Sequence, residues 1–315
     1  IYTTINSANL ILKHTPEISF TNEATRSEVM ANAYFLRAYC YFTLVRVFGD
    51  CPLLTSGFES EKQEDMYPSR TAASEVYAQV ETDIEEALRL MPASSKLLHK
   101  ASPAAINMLR TEYYLWKAKR LGGGNAALST AQSSVDAVLK AGYTLLPTFA
   151  DIFNLNNEAN SELIWTLPYI VNENVTPGTS PNFFAYYLAP NGDRTRLREA
   201  GYTEDEVPAG SHAQYVVPTQ AYCDFLAEDA RDTRTDVSVR VFEDKFLTEE
   251  VQIKRMVVKF KGSFANDTRS FDSDVPVYRL AEAYLLKAEV ENALGNTDAA
   301  LQNLNVVAKR AYGVD

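Results

Sequence analysis

Helical periodicity is the feature that most constrains the fold of this chain, because it dominates residues 1–145 and returns only towards the C-terminal end. Val76, Tyr77, Val80 and Ile84, for example, recur at the spacing that places side chains on one face of an amphipathic helix. Acidic residues occupy the opposite face of the same segment. The pattern predicts a mainly α-helical scaffold.

One long helix is predicted over residues 25–48. Thr25 and Glu28 have the spacing of a capping box, in which each side chain satisfies a free backbone donor at the helix start. Gly49 supplies the stop, since glycine is the residue most common just beyond a helix C-terminus. Arg37 lies among the aromatic residues of this helix, and we interpret it as half of a buried ion pair.

The partner of Arg37 is left open by the sequence, and Glu282 and Glu289 are the candidates on the last helices.

The last helices also carry a repeat pattern. Ala288, Gly295, Ala300 and Leu304 occupy the small, turn and packing positions of a tetratricopeptide repeat.

Small residues let paired helices approach closely, and stacked hairpins bury surface that one hairpin cannot. A second, looser match lies around Gly122. We therefore predict tetratricopeptide-like helical-hairpin repeats.

The middle of the chain has a different texture, with scattered prolines and glycines, dense aromatic residues and only short strand patterns. The fold class predicted is mainly α, with a large loop-rich insertion that contains short strands. We expect one composite domain with three parts. These are an N-terminal helical repeat part at 1–145, an irregular, aromatic-rich ligand-binding part at 146–275, and a C-terminal tetratricopeptide-like helix pair at 276–315.

The charge balance argues against nucleic acid as a partner. Acidic residues number 41 against 30 basic ones, and the formal net charge of -11 repels polyanions. No apolar stretch is long enough to span a bilayer. Cys40, Cys51 and Cys223 have no redox or metal spacing, so we expect small buried hydrophobic residues.

Catalysis has no recognisable motif in this sequence. His14, His99 and His212 form no metal-binding pattern, and no phosphate-binding or nucleophile motif occurs. The acidic residues 204–206 are adjacent, so they cannot face each other across a glycosidic bond, and we predict a solvated loop. We expect no enzyme activity, no cofactor and no bound metal.

The acidic segment 228–232 has two interpretations. Carboxylate oxygens suit calcium, but the segment lacks the length and the glycine of an EF-hand loop. Ion pairing with Arg231 and Arg234 is the interpretation that the sequence favours.

Residues 34–54 resemble the signature helix and turn of the SusD/RagB family. Segments in family order follow, at 83–92, 100–105, 141–145, 229–234 and 279–311, so the resemblance spans nearly the whole chain. The residues that carry the signature are Arg37, Ala38, Tyr41, Phe42, Gly49, Asp50, Pro52 and Leu53.

The resemblance implies a cell-surface, outer-membrane lipoprotein that binds oligosaccharide or polysaccharide and delivers it to a SusC-like TonB-dependent transporter. The family's secretion signal, its lipid-bearing cysteine and the segment that usually follows its last helix pair do not occur in this sequence. We therefore expect a chain trimmed at both ends, with membrane contact only through a lipid anchor outside it.

Sugar recognition requires flat aromatic faces and directional polar groups. Loops on a rigid scaffold commonly carry such groups, so the irregular region is the predicted location. An alternative for each ring is packing within the irregular region, as expected for Trp165. The predicted carbohydrate-binding residues in this region are Tyr186, Tyr187, Tyr202, Asn191, Asp193 and Arg194. Tyr67, in the polar linker between two predicted helices, is added to them.

Two further functions stay open. One is a helical-repeat scaffold that binds a peptide or a partner protein along its groove. The other, less favoured by the absence of motifs, is a polysaccharide hydrolase.

Overall fold

The chain of the computed structural model folds as two units, each assembled from two stretches of sequence. The first unit comprises Ile1–Tyr143 and Tyr278–Asn303, and the second comprises Thr144–Val277 and Leu304–Asp315. The structure describes residues 1–60, 67–175, 188–190, 193–210, 214, 216–244 and 252–313.

The N-terminal stretch of the first unit is helical, and successive helices pack on one another. α2 contacts both α1 and α3, and the most extensive contact of α4 is with α5. The helices are α1 (Tyr2–His14), α2 (Glu23–Phe48), α3 (Ala73–Leu90), α4 (Pro103–Arg120) and α5 (Gly124–Leu139).

The long helix α2 begins before its predicted start at Thr25. Asn22 is the capping residue, because its side-chain oxygen accepts the backbone N–H of Ala24 at 2.8 Å. The predicted capping box at Thr25 is therefore wrong, although the predicted end at Phe48 is confirmed. Gly49 follows with φ 68°, a backbone conformation that favours glycine.

Arg37 is buried in the first unit, as predicted, but its partner differs from both candidates. Its guanidinium donates to the two carboxylate oxygens of Asp83 at 2.6 and 2.8 Å, and to the side chain of Asn9 at 2.8 Å. The contact ties α2 to α3 and α1. Asp83 has no accessible surface, so this bidentate pair is a framework element.

The second unit contains short helices and strands between loops. β2 pairs with β3 in parallel, whereas β4 with β5 and β6 with β7 form antiparallel ladders. In chain order the elements are β1 (Leu163–Leu167), β2 (Ala189–Pro190), α6 (Arg194–Glu199), β3 (Ala209–Gly210), α7 (Gln220–Ala227), α8 (Thr235–Ser238), β4 (Val239–Asp244), β5 (Gln252–Val257), β6 (Ser263–Ala265), β7 (Thr268–Ser270) and β8 (Val275–Arg279), through which the chain leaves the unit.

A hydrophobic cluster gives this loop-rich unit a core of its own. Phe271, Met256 and Leu188 are its most deeply buried large side chains. Trp165 on β1 is also buried, as predicted. The other members of the cluster are Ala189, Leu197, Val207, Ala209, Phe242 and Val258.

The last two helices, α9 (Leu280–Ala293) and α10 (Thr297–Tyr312), are joined by a turn at Gly295, whose φ is 85°. α9 packs on α4 and α5. Leu115, Leu128, Ala131 and Val290 form the cluster between them. The prediction of helical-hairpin repeats is confirmed.

Two repeat residues on α10 differ in burial. Ala300 is buried, as the repeat pattern predicts, whereas Leu304, where α10 enters the second unit, is 44% exposed. Within the second unit the C-terminal end of α10 is fixed by Arg310, which donates to the buried carboxylate of Glu162 at 2.8 Å. The backbone carbonyl of Ala311 accepts hydrogen bonds from the N–H and the hydroxyl of Thr233.

The three cysteines are free and buried, as predicted. Of the helices in the described residues, none is both long enough and apolar enough to cross a membrane.

Candidate functional site

The predicted carbohydrate-binding residues fall into three groups in the structure. Tyr186, Tyr187 and Asn191 lie outside the described residues. Tyr67 lies in the first unit, between α2 and α3, and 93% of its surface is exposed. Asp193, Arg194 and Tyr202 belong to the second unit and have protein partners.

Arg194, the first residue of α6, is held by several contacts within the second unit. Its Nε lies 3.0 Å from a carboxylate oxygen of Glu204, and its terminal nitrogens donate to the carbonyls of Asp267 and Ala209. Its guanidinium also lies 4.8 Å from the ring centre of Phe264. The Arg194 charge is therefore largely committed to internal contacts.

Asp193 and Tyr202 also make contacts within the second unit. Asp193 forms an ion pair with Lys254 at 3.4 Å. Tyr202 is half-buried, and its ring meets that of Phe242 edge-on, with 5.9 Å between the ring centres. These two side chains order the chain around α6.

The predicted solvated loop at residues 204–206 is confirmed for Asp205 and Glu206, which are exposed, and wrong for Glu204. Its carboxylate accepts from Arg269 at 2.9 Å as well as pairing with Arg194. Arg269 is 3% exposed, and desolvation lowers the pKa of its guanidinium. Glu206 accepts from the backbone and the hydroxyl of Thr203.

Local ion pairs occupy the acidic segment at 228–232. Arg231 pairs with Asp229 and Arg234 pairs with Asp232, both at 2.6 Å. These are the pairs that the sequence favoured. Among the described residues, no cluster of three metal-ligating side chains occurs.

The second unit also contains a polar pocket of about 440 Å³, which we call the second-unit pocket. Two 3₁₀ turns (Ala150–Phe153 and Leu155–Asn157) form one wall, α8 and β4 form another, and the chain after β5 completes it. Its lining residues are Ala150, Phe153, Asn154, Leu155, Asn156, Asp205, Asp236, Val237, Arg240, Val258, Lys259, Lys261 and Ser273.

Aromatic rings support one side of this pocket. Phe153 lies edge-on to both Phe149 and Phe260, with ring centres 5.2 and 5.6 Å away. The ammonium of Lys259 lies 4.9 Å from the Phe153 ring centre and 5.1 Å from that of Phe149. A cation over a ring face at this distance is attracted by the ring quadrupole, so the contact helps to position Lys259.

The charged groups of the pocket differ in how far they are neutralised. Lys261 pairs with Asp205 at 2.7 Å, and this contact lowers the pKa of the Asp205 carboxyl. Arg240 has a buried Nε without a hydrogen-bond partner among the described residues. An unpaired buried donor costs about 1–3 kcal/mol. The pocket thus combines amides, a paired carboxylate and an uncommitted guanidinium.

Sequence inspection missed most of these lining residues. Asn154 and Asn156 carry a usable signal, because asparagines cluster directly after the aromatic pair Phe149 and Phe153. Arg240 carries none, since it is a single arginine in a strand. Only the fold brings β4 and the 3₁₀ turns to one pocket.

The first unit has a groove of its own, of about 340 Å³. We call it the first-unit groove. Trp116 lies in it, with its Nε1 donating to the Tyr77 hydroxyl at 3.0 Å. Ion pairs cross the groove from Lys119 to Glu289 and from Arg46 to Glu112. Its lining residues are Arg46, Glu112, Leu115, Trp116, Lys119, Arg120, Leu286 and Glu289.

Family comparisons match both ends of the chain. A sequence model of the family described as "Starch-binding associating with outer membrane" matches residues 1–114, and a model of the SusD family matches residues 245–313. SusD-like protein P25 of Formosa agariphila is 26% identical over 99% of this chain. The chain spans 61% of the length of that relative.

Solved structures share the fold. NanU of B. fragilis superposes with a TM-score of 0.84 at 27% identity, over 99% of this chain and 64% of NanU. A laminarin-binding SusD-like protein superposes with a TM-score of 0.74 at 21% identity, over 99% of this chain and 69% of that protein, a likeness in fold.

Proposed function

Because the chain belongs to the SusD family, we propose that it is a non-catalytic glycan-binding protein and that the second-unit pocket holds the sugar. The family description names starch binding and association with the outer membrane. The observation that carries the proposal is the pocket itself, whose amides, hydroxyl and charged groups suit the hydroxyls of a sugar ring.

Several of the residues predicted from the sequence take distinct parts in this proposal. Tyr67 stays a predicted carbohydrate-binding residue, since its exposed ring can cover the C–H face of a sugar. Tyr186, Tyr187 and Asn191, which lie outside the described residues, stay predictions as well. Asp193, Arg194 and Tyr202 act by holding the second unit in shape.

The proposal includes no catalytic step. A glycosidase general acid needs a raised pKa so that it keeps its proton at working pH. Asp205 has the opposite property, because Lys261 lowers the pKa of its carboxyl. The paired carboxylate therefore fits hydrogen bonding to a sugar and not proton donation.

We place the full-length protein at the cell surface, anchored to the outer membrane by lipid, where it passes oligosaccharide to a SusC-like TonB-dependent transporter. This part of the proposal rests on the family alone. Copurification of the full-length protein with a barrel transporter encoded beside it is the corresponding test.

Calorimetric titration against a panel of host and plant oligosaccharides tests glycan capture. Ala150→Trp places a large ring in the wall of the second-unit pocket and should abolish saturable binding. Ala126→Trp, on an exposed position of α5 in the first unit, is the matched control and should bind as the parent does. Equal binding by both variants would remove the pocket from the proposal.

A second candidate function is peptide or partner-protein binding in the first-unit groove. The groove combines Trp116 with charges of both signs, and the nearby end of α2 exposes Val47 and Phe48 by 67% and 62%. Absence of any sugar response, together with a partner lost on Trp116→Ala, would favour this scaffold function. Release of reducing ends during incubation with polysaccharide would favour a hydrolase instead.

A further inference from the structure

Arg240 supplies a positive charge to the lining of the second-unit pocket. It stands in β4, opposite Met256 of β5, and lines the second-unit pocket. Among the described residues its guanidinium makes no ion pair and no hydrogen bond. Hydrogen bonds from Thr203 are the main cause that lowers the pKa of the Glu206 carboxyl, and the charge of Arg240 acts in the same direction.

The other cations of the pocket are engaged. Lys261 is paired with Asp205 at 2.7 Å, and Lys259 lies over the rings of Phe149 and Phe153. Asp236 is the remaining carboxylate of the lining. Lys261 thus has a paired carboxylate in the lining, whereas Arg240 has no ion pair among the described residues and is the positive charge that the pocket offers to a ligand.

The local positive charge of Arg240 is opposite in sign to the net charge of the whole protein, which is -11. A long polyanion is repelled by that field over most of its length, whereas one anionic group on a short chain meets only the local field of the pocket. Screening beyond about 8 Å at physiological salt strengthens the local term relative to the global one.

We propose that the second-unit pocket selects a glycan carrying a single acidic sugar, and that Arg240 binds its anionic group. This specificity rests on the proposed glycan-binding function. A guanidinium presents donors in a planar fork that matches a carboxylate or a sulfate ester, and such charge-assisted hydrogen bonds are stronger than neutral ones. The pocket amides and Ser273 would then form hydrogen bonds with the sugar hydroxyls.

The test uses matched pairs of oligosaccharides. One pair is a uronic-acid-containing oligosaccharide and its carboxyl-reduced form, and the other is a sulfated oligosaccharide and its desulfated form. The parent protein should bind one acidic member at least about tenfold more tightly than its neutral counterpart by calorimetric titration. The pair that shows the difference identifies the anionic group.

Arg240→Gln should abolish that preference, so that the acidic and the neutral member of the pair bind with equal affinity. Arg240→Lys, which keeps the charge but loses the planar fork, should retain part of the preference. Arg231→Gln is the control, because it removes the same charge from an exposed arginine of the same unit, whose ion pair is with the nearby Asp229.

Three outcomes are distinguishable. If the parent binds acidic and neutral members equally, or if Arg240→Gln keeps the preference, the acidic-sugar inference is overturned while glycan binding stands. If the folded parent binds no member of either pair or of the wider panel, glycan binding itself fails, and the inference fails with it. Loss of the preference in Arg240→Gln alone supports both.

Discussion

The two units treat a buried or half-buried arginine in opposite ways. In the first unit, Arg37 is fixed by both oxygens of Asp83 and by Asn9. In the second unit, Arg240 lines an open pocket with a buried donor left unpaired among the described residues. A satisfied buried charge holds helices in register, whereas an uncommitted charge in a pocket is free to serve a ligand.

The largest expected effect comes from breaking the framework pair of the first unit. Asp83→Ala leaves the Arg37 guanidinium buried without its counter-ion, and the free energy of unfolding should fall by about 3–5 kcal/mol. Urea unfolding measures the change. Glu86→Ala, which breaks an exposed pair with Arg89 on the same helix, should cost less than about 1 kcal/mol. A similarly small loss in Asp83→Ala would show that the Arg37–Asp83 pair contributes little to the free energy of unfolding, and that the contrast with Arg240 is one of geometry alone.

Glu282 tests whether every buried ionisable group of the first unit is stabilised in its charged form. Burial, with a further contribution from Glu112, raises the pKa of Glu282 from 4.5 to about 7. Since the folded state then binds a proton more tightly than the unfolded state, the stabilisation is complete below pH 4.5 and is lost as pH rises through 7. The loss corresponds to at most about 3 kcal/mol.

Glu282→Gln should remove this pH dependence and make the protein more stable than the parent at pH 8, with little difference at pH 4. Thermal or urea unfolding across that range provides the measurement. Glu75→Gln, at an exposed position on α3, should leave the pH profile unchanged. Parallel profiles for the parent and Glu282→Gln would contradict the assignment of a strained carboxyl to this unit.

The difference between the units also explains which structural features could be predicted from the sequence. Helices of the first unit follow from periodicity, because each buries one face of regularly spaced side chains. The start of α2 was placed too late, since several residues near it can cap and only the structure shows that Asn22 does. The partner of Arg37 was also beyond reach, because Asp83 sits among acidic residues of α3 that the sequence presents as a solvated face.

In the second unit the sequence marks the region and not the side chains that form the pocket. Arg194 and Glu204 look like exposed loop residues, yet they belong to a network with the buried Arg269. Arg240 and Lys261 come from chain segments distant from the 3₁₀ turns. Without periodicity, nothing in the sequence indicates which loops meet, so the pocket became visible only in three dimensions.

The smallest effect is expected from Asp205→Asn in the second-unit pocket. The Asp205–Lys261 pair is largely exposed, with 86% and 35% of the two side chains accessible, so stability should change by less than about 1 kcal/mol. Removing the carboxylate frees the Lys261 charge, so the affinity for an acidic oligosaccharide should rise several-fold relative to the affinity for its neutral counterpart. Calorimetric titration measures both, with Asp229→Asn as a control that frees Arg231 away from the pocket. Equal gains in affinity for the two ligands, or a gain in the control, would mean that the charge of the pocket residues does not affect the affinity for an acidic sugar.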